Sequence, residues 1–394
     1  MTAVSEAYER PKVSFWNDPK IRSIVVQVLL VLAVGFFAYE IVDNTITNLT
    51  KRNIATGFEF LNKSAGFDLI QTLVEYTSAS SYGTALLAGF LNTLMVSAIG
   101  IVLATILGFI IGIMRLSKNF LLSSIATLYI EIIRNVPLLL QVFVWYGLVL
   151  EAMPGPRQAY NLGDMIFLSN RGLNMPDPVW GNGAWLGLAG LATGIVGAVA
   201  VRRWAQQRQA ATGEIFPHVL TGIAMILGLP ILGFLIAGWP VTFDYPVLGG
   251  FNFTGGKVII PEFMALLVAL TAYTASFIAE IVRAGIQSVS HGQTEAANAL
   301  GLRNAPTTRL VVIPQAMRVI IPPLASQYLN LTKNSSLAVA IAYPDLVATG
   351  GTVLNQTGQA IEVVMIWMVV YLTLSLTTSG FMNWFNARMR LVER

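Results

Sequence analysis

Apolar residues in this sequence come in long blocks, and eight blocks match the thickness of a bilayer: 21–42, 86–114, 121–150, 184–201, 215–237, 263–281, 319–342 and 363–385. A helix needs roughly 20 mostly apolar residues to cross the hydrocarbon core. In lipid the backbone must satisfy its own hydrogen bonds, which leaves helices or closed barrels, and blocks this long are helical. Composition agrees: 55% of residues are hydrophobic and only 11% charged, against about a quarter charged in soluble domains. The expected fold is all-α, a polytopic membrane protein with about 8 transmembrane helices. The third, sixth and seventh blocks are the least lipid-like.

Positive charge sets the direction of threading. With the N-terminus inside, the inner segments carry Arg10, Lys12, Lys20 and Arg22, then Arg115 and Lys118, then Arg202, Arg203 and Arg208. They also carry Arg283, Arg303, Arg309 and Arg318, and finally Arg388, Arg390 and Arg394. The outer segments hold only Lys51, Arg52, Lys63, Arg157, Arg171 and Lys257. That asymmetry predicts both termini inside. It also accounts for the net charge of +4 without any nucleic-acid partner, and places the inner-face arginines against membrane lipid. Residues 1–22 show no apolar core with a small-residue cleavage site, so no cleavable signal peptide is expected. Cysteine is absent, and His218 and His291 are far apart, so no disulfide or metal site is expected.

The segment 288–314, on the inner face, reads SVSHGQTEAANALGLRNAPTTRLVVIP. Helix formers run from Thr294 to Leu300, Gln293 or Thr294 is placed to cap the start, and Gly301 sits where a helix ends. Glu295 then lies in the first turn, near the positive end of the helix dipole. A short helix between two spans, with small side chains at Ala296, Ala297 and Ala299, offers a rigid knob to a partner's groove.

This segment resembles the EAA loop of ABC importer permeases, whose pattern is Glu-Ala-Ala, three residues, Gly, nine residues and Ile-x-Leu-Pro. Here it reads Glu295-Ala296-Ala297, Gly301 and Val311-Val312-Ile313-Pro314, with Val and Ile replacing Ile and Leu. The flanks resemble the polar amino acid (histidine/glutamine-type) branch. They are Ala272-Tyr273, Glu280 to Ile286, Gly292-Gln293, Pro314 to Arg318, Pro322-Pro323 and Lys333 to Leu337. Upstream, Asn92-Thr93, taken to open the second span, and Arg134 to Gln141 belong to the same pattern. The family core has five helices; a further N-terminal span and an inserted pair resemble the Q-type permease of general L-amino acid transporters.

The resemblance implies a type I ABC importer permease fold in a bacterial inner membrane. The divisions are an inner segment (1–20), an extra helix with its outer loop (21–83), a first core part (84–150), and outer loops with an inserted helix pair (151–260). A second core part carrying the coupling loop (261–386) and an inner tail (387–394) complete the chain. It implies a permease for L-amino acids, of broad range by the family, working with a second, related permease. Two cytoplasmic ATPase subunits and a periplasmic binding protein complete the implied assembly. The coupling residues it implies are Gly292, Gln293, Glu295, Ala296, Ala297, Gly301 and Pro314. No catalytic residue and no cofactor is expected on this chain, ATP-Mg being held by the partner subunits.

Charges inside the spans mark a second candidate region. An ionisable group in lipid costs about 2.5–3.5 kcal/mol on insertion scales and usually faces a bundle interior or water. Glu131 and Arg134 are three apart and placed to neutralise each other, with Asn135 and a helix-bending Pro137 beyond. Lys333-Asn334-Ser335-Ser336 interrupts the seventh block, the pattern of a broken helix. Glu131, Arg134, Asn135, Asn330, Lys333, Asn334 and Ser335 are the candidates for a substrate route or gate, offering a cation for a carboxylate and an anion for an ammonium. The alternative for Glu131–Arg134 is a structural pin, and Glu280 with Arg283 is read as positioning the coupling loop.

An ATP-hydrolysing chain would need G-x-x-x-x-G-K-[ST]. The nearest segment, Gly255-Gly256-Lys257-Val258, lacks the first glycine and the hydroxyl. An ion-coupled secondary amino acid transporter is the alternative that the buried charges permit. A membrane enzyme ranks last, with no nucleophile elbow, metal cluster or redox cysteine.

Overall fold

The structure is a computed structural model that describes residues 19–52 and 56–389. Most of the expected inner segment 1–20 lies outside these, as do Arg390 and Arg394 of the tail. Among the described residues seven helices are long and apolar enough to cross a membrane, or eight if a bent pair is counted as one span.

Helix α1 (Pro19–Lys51) is the first span, and none of its apolar window is buried against the rest of the described chain. A connecting segment, held by a Ser64–Ser81 bridge, leads to α2 (Tyr82–Arg115). The Ser81 hydroxyl accepts the Thr84 N–H and so caps α2. Asn92 and Thr93 therefore sit in its third turn rather than opening it. Then follow α3 (Phe120–Asn135), α4 (Leu138–Ala152), α5 (Trp185–Thr212), α6 (His218–Ile236) and α7 (Pro261–Gln287). After them come α8 (His291–Ala299), α9 (Asn304–Thr307), α10 (Ile313–Asn334), α11 (Leu346–Thr357) and α12 (Ala360–Met389).

Helix α7 is the hub, packing on α2, α3, α4 and α10, and 61% of its apolar window is buried. Lipid tails are as apolar as leucine, so helices associate by close packing rather than by burial as such. Glycines on α2 make that approach. A Cβ at Gly108 would meet Ile278 at 2.6 Å, and one at Gly112 would meet the Ala279 carbonyl at 2.7 Å.

The third expected span is two helices set at 108°. Val136, forced out of the helical region by the proline after it, has φ −98° and ψ 128°. The break strands backbone carbonyls, and Gln141 Nε2 donates to Ile133 O and Val136 O, each at 2.8 Å. The expected bend at Pro137 is thus a corner.

The seventh span does not break where four polar residues follow one another. At Ser335 it tightens into a 3₁₀ helix that runs to Ile341, because Ser335 and Ser336 turn their hydroxyls back to Thr332 O and Lys333 O. The chain turns only at Ala342, in the left-handed region at φ 58°, and enters α11. Asp345 caps α11 through the Ala348 N–H at 2.8 Å.

The all-α expectation holds for the spans, but the region between α4 and α7 adds short strands that read as turn-rich loops. They are β1 (Tyr160–Leu162), β2 (Ile166–Ser169), β3 (Gly172–Met175), β4 (Asp177–Trp180), β5 (Val241–Asp244), β6 (Val247–Gly249), β7 (Asn252–Thr254) and β8 (Lys257–Ile259). All pair antiparallel, in the order β1-β2-β3-β8 with separate pairs β4–β5 and β6–β7. They gather where α7 begins; α8 lies at the opposite face.

Candidate functional site

At the α8 face, helix α8 begins three residues before the expected start. Ser290 is its N-cap position, and its carbonyl accepts the Gln293 N–H at 3.0 Å. Gly292, Gln293, Glu295, Ala296 and Ala297 all lie within α8, so Glu295 stands in the second turn, its carboxylate 2.9 Å from His291 Nδ1. The end of the helix is as expected. Gly301 takes φ +78°, its N–H meets Asn298 O, and Leu302 N–H reaches back to Ala297 O at 3.1 Å.

The three alanines do not act alike. Ala297 is buried under the chain, whereas Ala296 and Ala299 face outward. The largest apolar group presented there is Leu300, 82% exposed at the tip of α8. Sequence reasoning passed over it because it reads as one more helix former. Gln293 Oε1 accepts from Gln315 Nε2 at 3.1 Å, which ties α8 to the first turn of α10 beside Pro314. A π turn over Thr308–Val312 precedes that turn. Such turns insert one extra residue per helical cycle and recur at functional sites.

Glu280, near the end of α7, accepts Arg283 Nε at 3.0 Å and also pairs with Arg115 at the end of α2. Arg115 in turn lies 3.8 Å from Glu131 on α3. Four charged groups thus join three helices immediately before α8. Arg283 also donates to Gln287 Oε1 at 2.6 Å. The partner of Glu131 is therefore Arg115 rather than Arg134: antiparallel α2 and α3 bring the two together, while Arg134 points to α7, its guanidinium 4.9 Å above the Phe277 ring. Asn135 Nδ2 donates to Glu131 O at 2.7 Å, closing the last turn of α3.

The other candidates lie elsewhere. Asn330 and Lys333 are exposed, Asn334 half-buried and Ser335 buried. Lys333 edges a groove of about 360 Å³ with Ser336, Val347, Trp367, Met368 and Tyr371. Among the described residues no hydrogen bond or ion pair joins Glu131, Arg134 or Asn135 to Asn330, Lys333, Asn334 or Ser335. Nor is there a group of three His, Cys, Asp or Glu placed to hold a metal.

A buried polar junction supports the turn beyond Ser335. Asn92 Nδ2 donates to Gln71 O at 2.9 Å and Pro344 O at 2.8 Å, and Tyr343 Oη donates to Asn92 O at 3.4 Å. Trp367 Nε1 donates to Leu346 O at 3.1 Å. Asp345, in the connector between spans, is fully buried, and burial pushes its carboxyl up to about 7 despite the backbone N–H groups that favour the charged form. Sequence reasoning missed it, because the helix it caps is too short to stand out as an apolar block.

The family described as "Binding-protein-dependent transport system inner membrane component" matches residues 216–391. The general L-amino acid transport system permease protein AapQ of Rhizobium johnstonii is 55% identical over 96% of this chain and 94% of its own length. The putative amino-acid ABC transporter permease protein YhdX of Escherichia coli is 51% identical over 97% of both chains. The glutamate/glutamine/aspartate/asparagine transport system permease protein BztB of Rhodobacter capsulatus is 43% identical over 96% of both.

Proposed function

Because this chain belongs to the family of inner membrane permease subunits of binding-protein-dependent ABC transport systems for amino acids, we propose that it forms one half of an L-amino acid pathway of broad range. A related permease supplies the other half, two cytoplasmic ATPases supply the energy, and an external binding protein delivers the substrate. The termini face the cytoplasm, and so does α8.

The observation that carries this reading is α8 itself: a nine-residue helix, pinned at Gln293 and Gly301, that presents Leu300 to whatever lies beyond the membrane. An outside motor that pushes on α8 moves α7 and α10 directly, because both are joined to it within a few residues. The Arg115–Glu131–Glu280–Arg283 cluster carries that displacement into α2 and α3. The cluster is half-buried at Arg115, Glu280 and Arg283 and exposed at Glu131, so its charge pairs orient the helix ends relative to one another more than they add stability.

Along the pathway, Glu131, Arg134, Asn135, Asn330, Lys333, Asn334 and Ser335 are the groups assigned to substrate passage. The two sets do not touch within this chain, so on this reading they act at separate points of the route. The test is uptake into proteoliposomes containing the co-purified complex. Uptake of several L-amino acids that requires both ATP and the binding protein is expected. Uptake driven by an ion gradient alone would overturn the reading in favour of a secondary carrier.

A further inference from the structure

Helices α5 and α6 form a hairpin held by glycine contacts: a Cβ at Gly190 would meet Leu229 O at 2.5 Å, and one at Gly194 would meet Met225 O at 2.6 Å. Toward the tip a groove of about 430 Å³ runs along the pair, lined by Ala198, Arg202, Gln206, His218, Val219, Gly222, Ile223 and Ile226. Its deep part is apolar; its mouth carries Arg202, Gln206 and His218. Arg202 lies 17 residues past Trp185, roughly 26 Å along the helix at 1.5 Å per residue. The hydrocarbon core is roughly 30 Å thick, so Arg202 stands at its edge, level with His218 at the first residue of α6.

The charge at this mouth is uncompensated. The one carboxylate of the tip, Glu214, is taken by Arg208 at 2.6 Å, and Arg208 itself lies 5.4 Å over the Trp204 ring. Among the described residues Arg202 has no acidic partner. His218 directs Nδ1 to Phe216 O at 3.2 Å, which leaves Nε2 for the groove. An apolar slot open to lipid and a free cation at the headgroup level call for one occupant that is both anionic and acylated.

We propose that this groove binds an anionic phospholipid, its phosphate on Arg202 between Gln206 and His218 and one acyl chain along Val219, Ile223 and Ile226. The inference rests only on the hairpin's crossing a membrane and is independent of what the protein transports.

The experiment is native mass spectrometry of the full chain, with the subunits that co-purify, titrated with phosphatidylglycerol and with phosphatidylcholine of identical acyl chains. The unmodified protein should retain phosphatidylglycerol about fivefold better, the effect of one interfacial charge. Arg202→Gln should abolish that preference, Arg202→Lys should keep most of it, and Arg203→Gln, adjacent but outside the groove, should leave it intact. Equal retention of the two lipids by the unmodified protein would overturn the proposal. So would an equal loss in Arg202→Gln and Arg203→Gln, the mark of diffuse attraction to the whole tip.

Discussion

Thr93 on α2 accepts the backbone N–H of Leu346 at 3.0 Å, joining residues 253 positions apart in the sequence. The same hydroxyl donates to Gly89 O at 3.1 Å, so both of its roles are used. Thr93→Val keeps the shape and removes the acceptor, leaving a buried N–H unsatisfied. A loss of about 1–3 kcal/mol is expected, read as a lower thermal midpoint of the purified protein. Thr93→Ser should recover most of it; equal midpoints for Val and the unmodified chain would show the bond to be immaterial.

Asp345 makes stability depend on pH. Its carboxyl, raised from 3.8 to about 7 by burial, holds a proton in the folded chain that the unfolded chain has already released. Folding is therefore favoured at low pH, and stability falls as pH rises between those two values, by up to about 1.4 kcal/mol per unit. Asn caps a helix as well as Asp does and does not ionise. Midpoints measured at pH 5 and pH 7 should fall further apart for the unmodified chain than for Asp345→Asn.

Leu300 supports nothing within its own chain. Leu300→Asp should leave the midpoint and the amount of protein in the membrane unchanged while lowering ATP-driven uptake at least tenfold. Coupled ATPase activity should fall with it. A normal uptake rate would show that α8 is not where force enters.

Arg134→Ala and Lys333→Ala test the pathway. Each should reduce uptake of several amino acids at unchanged abundance of the complex, and Arg134→Lys should recover little, since a lysine does not lie flat over Phe277 as the guanidinium does. Undiminished transport by Arg134→Ala would confine that residue to packing.

The α2–α7 contact should be intolerant of bulk. Gly108→Val places a branched side chain where Ile278 already stands, an overpacking worth about 1–3 kcal/mol. The expected readout is loss of monodisperse protein on size-exclusion chromatography, whereas Gly147→Val, at a glycine with open space around it, should be silent.

Hydropathy and charge made the spans legible because lipid imposes length and polarity on each block separately. What they could not supply depends on which blocks meet. Arg115 became the partner of Glu131 only because α2 and α3 lie side by side, which three-residue spacing between Glu131 and Arg134 does not reveal. The bend at Pro137 was readable, but its 108° angle depends on Gln141 tying off the freed carbonyls. Helix α11 was invisible: twelve residues with Gly350-Gly351 inside are too short for a span and too poor in helix formers to stand out. Of segment 288–314, the short helix was legible and Gly301 marked its end, but its start was misplaced, Ser290 being the residue at its cap, and the turns over 304–312 carried no signal.

Strand β4 leads into the α5–α6 hairpin and β5 leads out of it, and the two lie side by side, Asp177 opposite Asp244, with Gly181 N–H bonded to Pro240 O at 2.8 Å. The hairpin thus leaves and rejoins the rest of the molecule through a single doorway. A segment with that geometry is structurally self-contained. Its sixty or so residues can be gained or shed in evolution without moving either flanking helix, and a two-residue turn joining Trp180 to Val241 would close the gap. The lineage could therefore alter what this protein touches in the bilayer while the transport core beside it kept its shape.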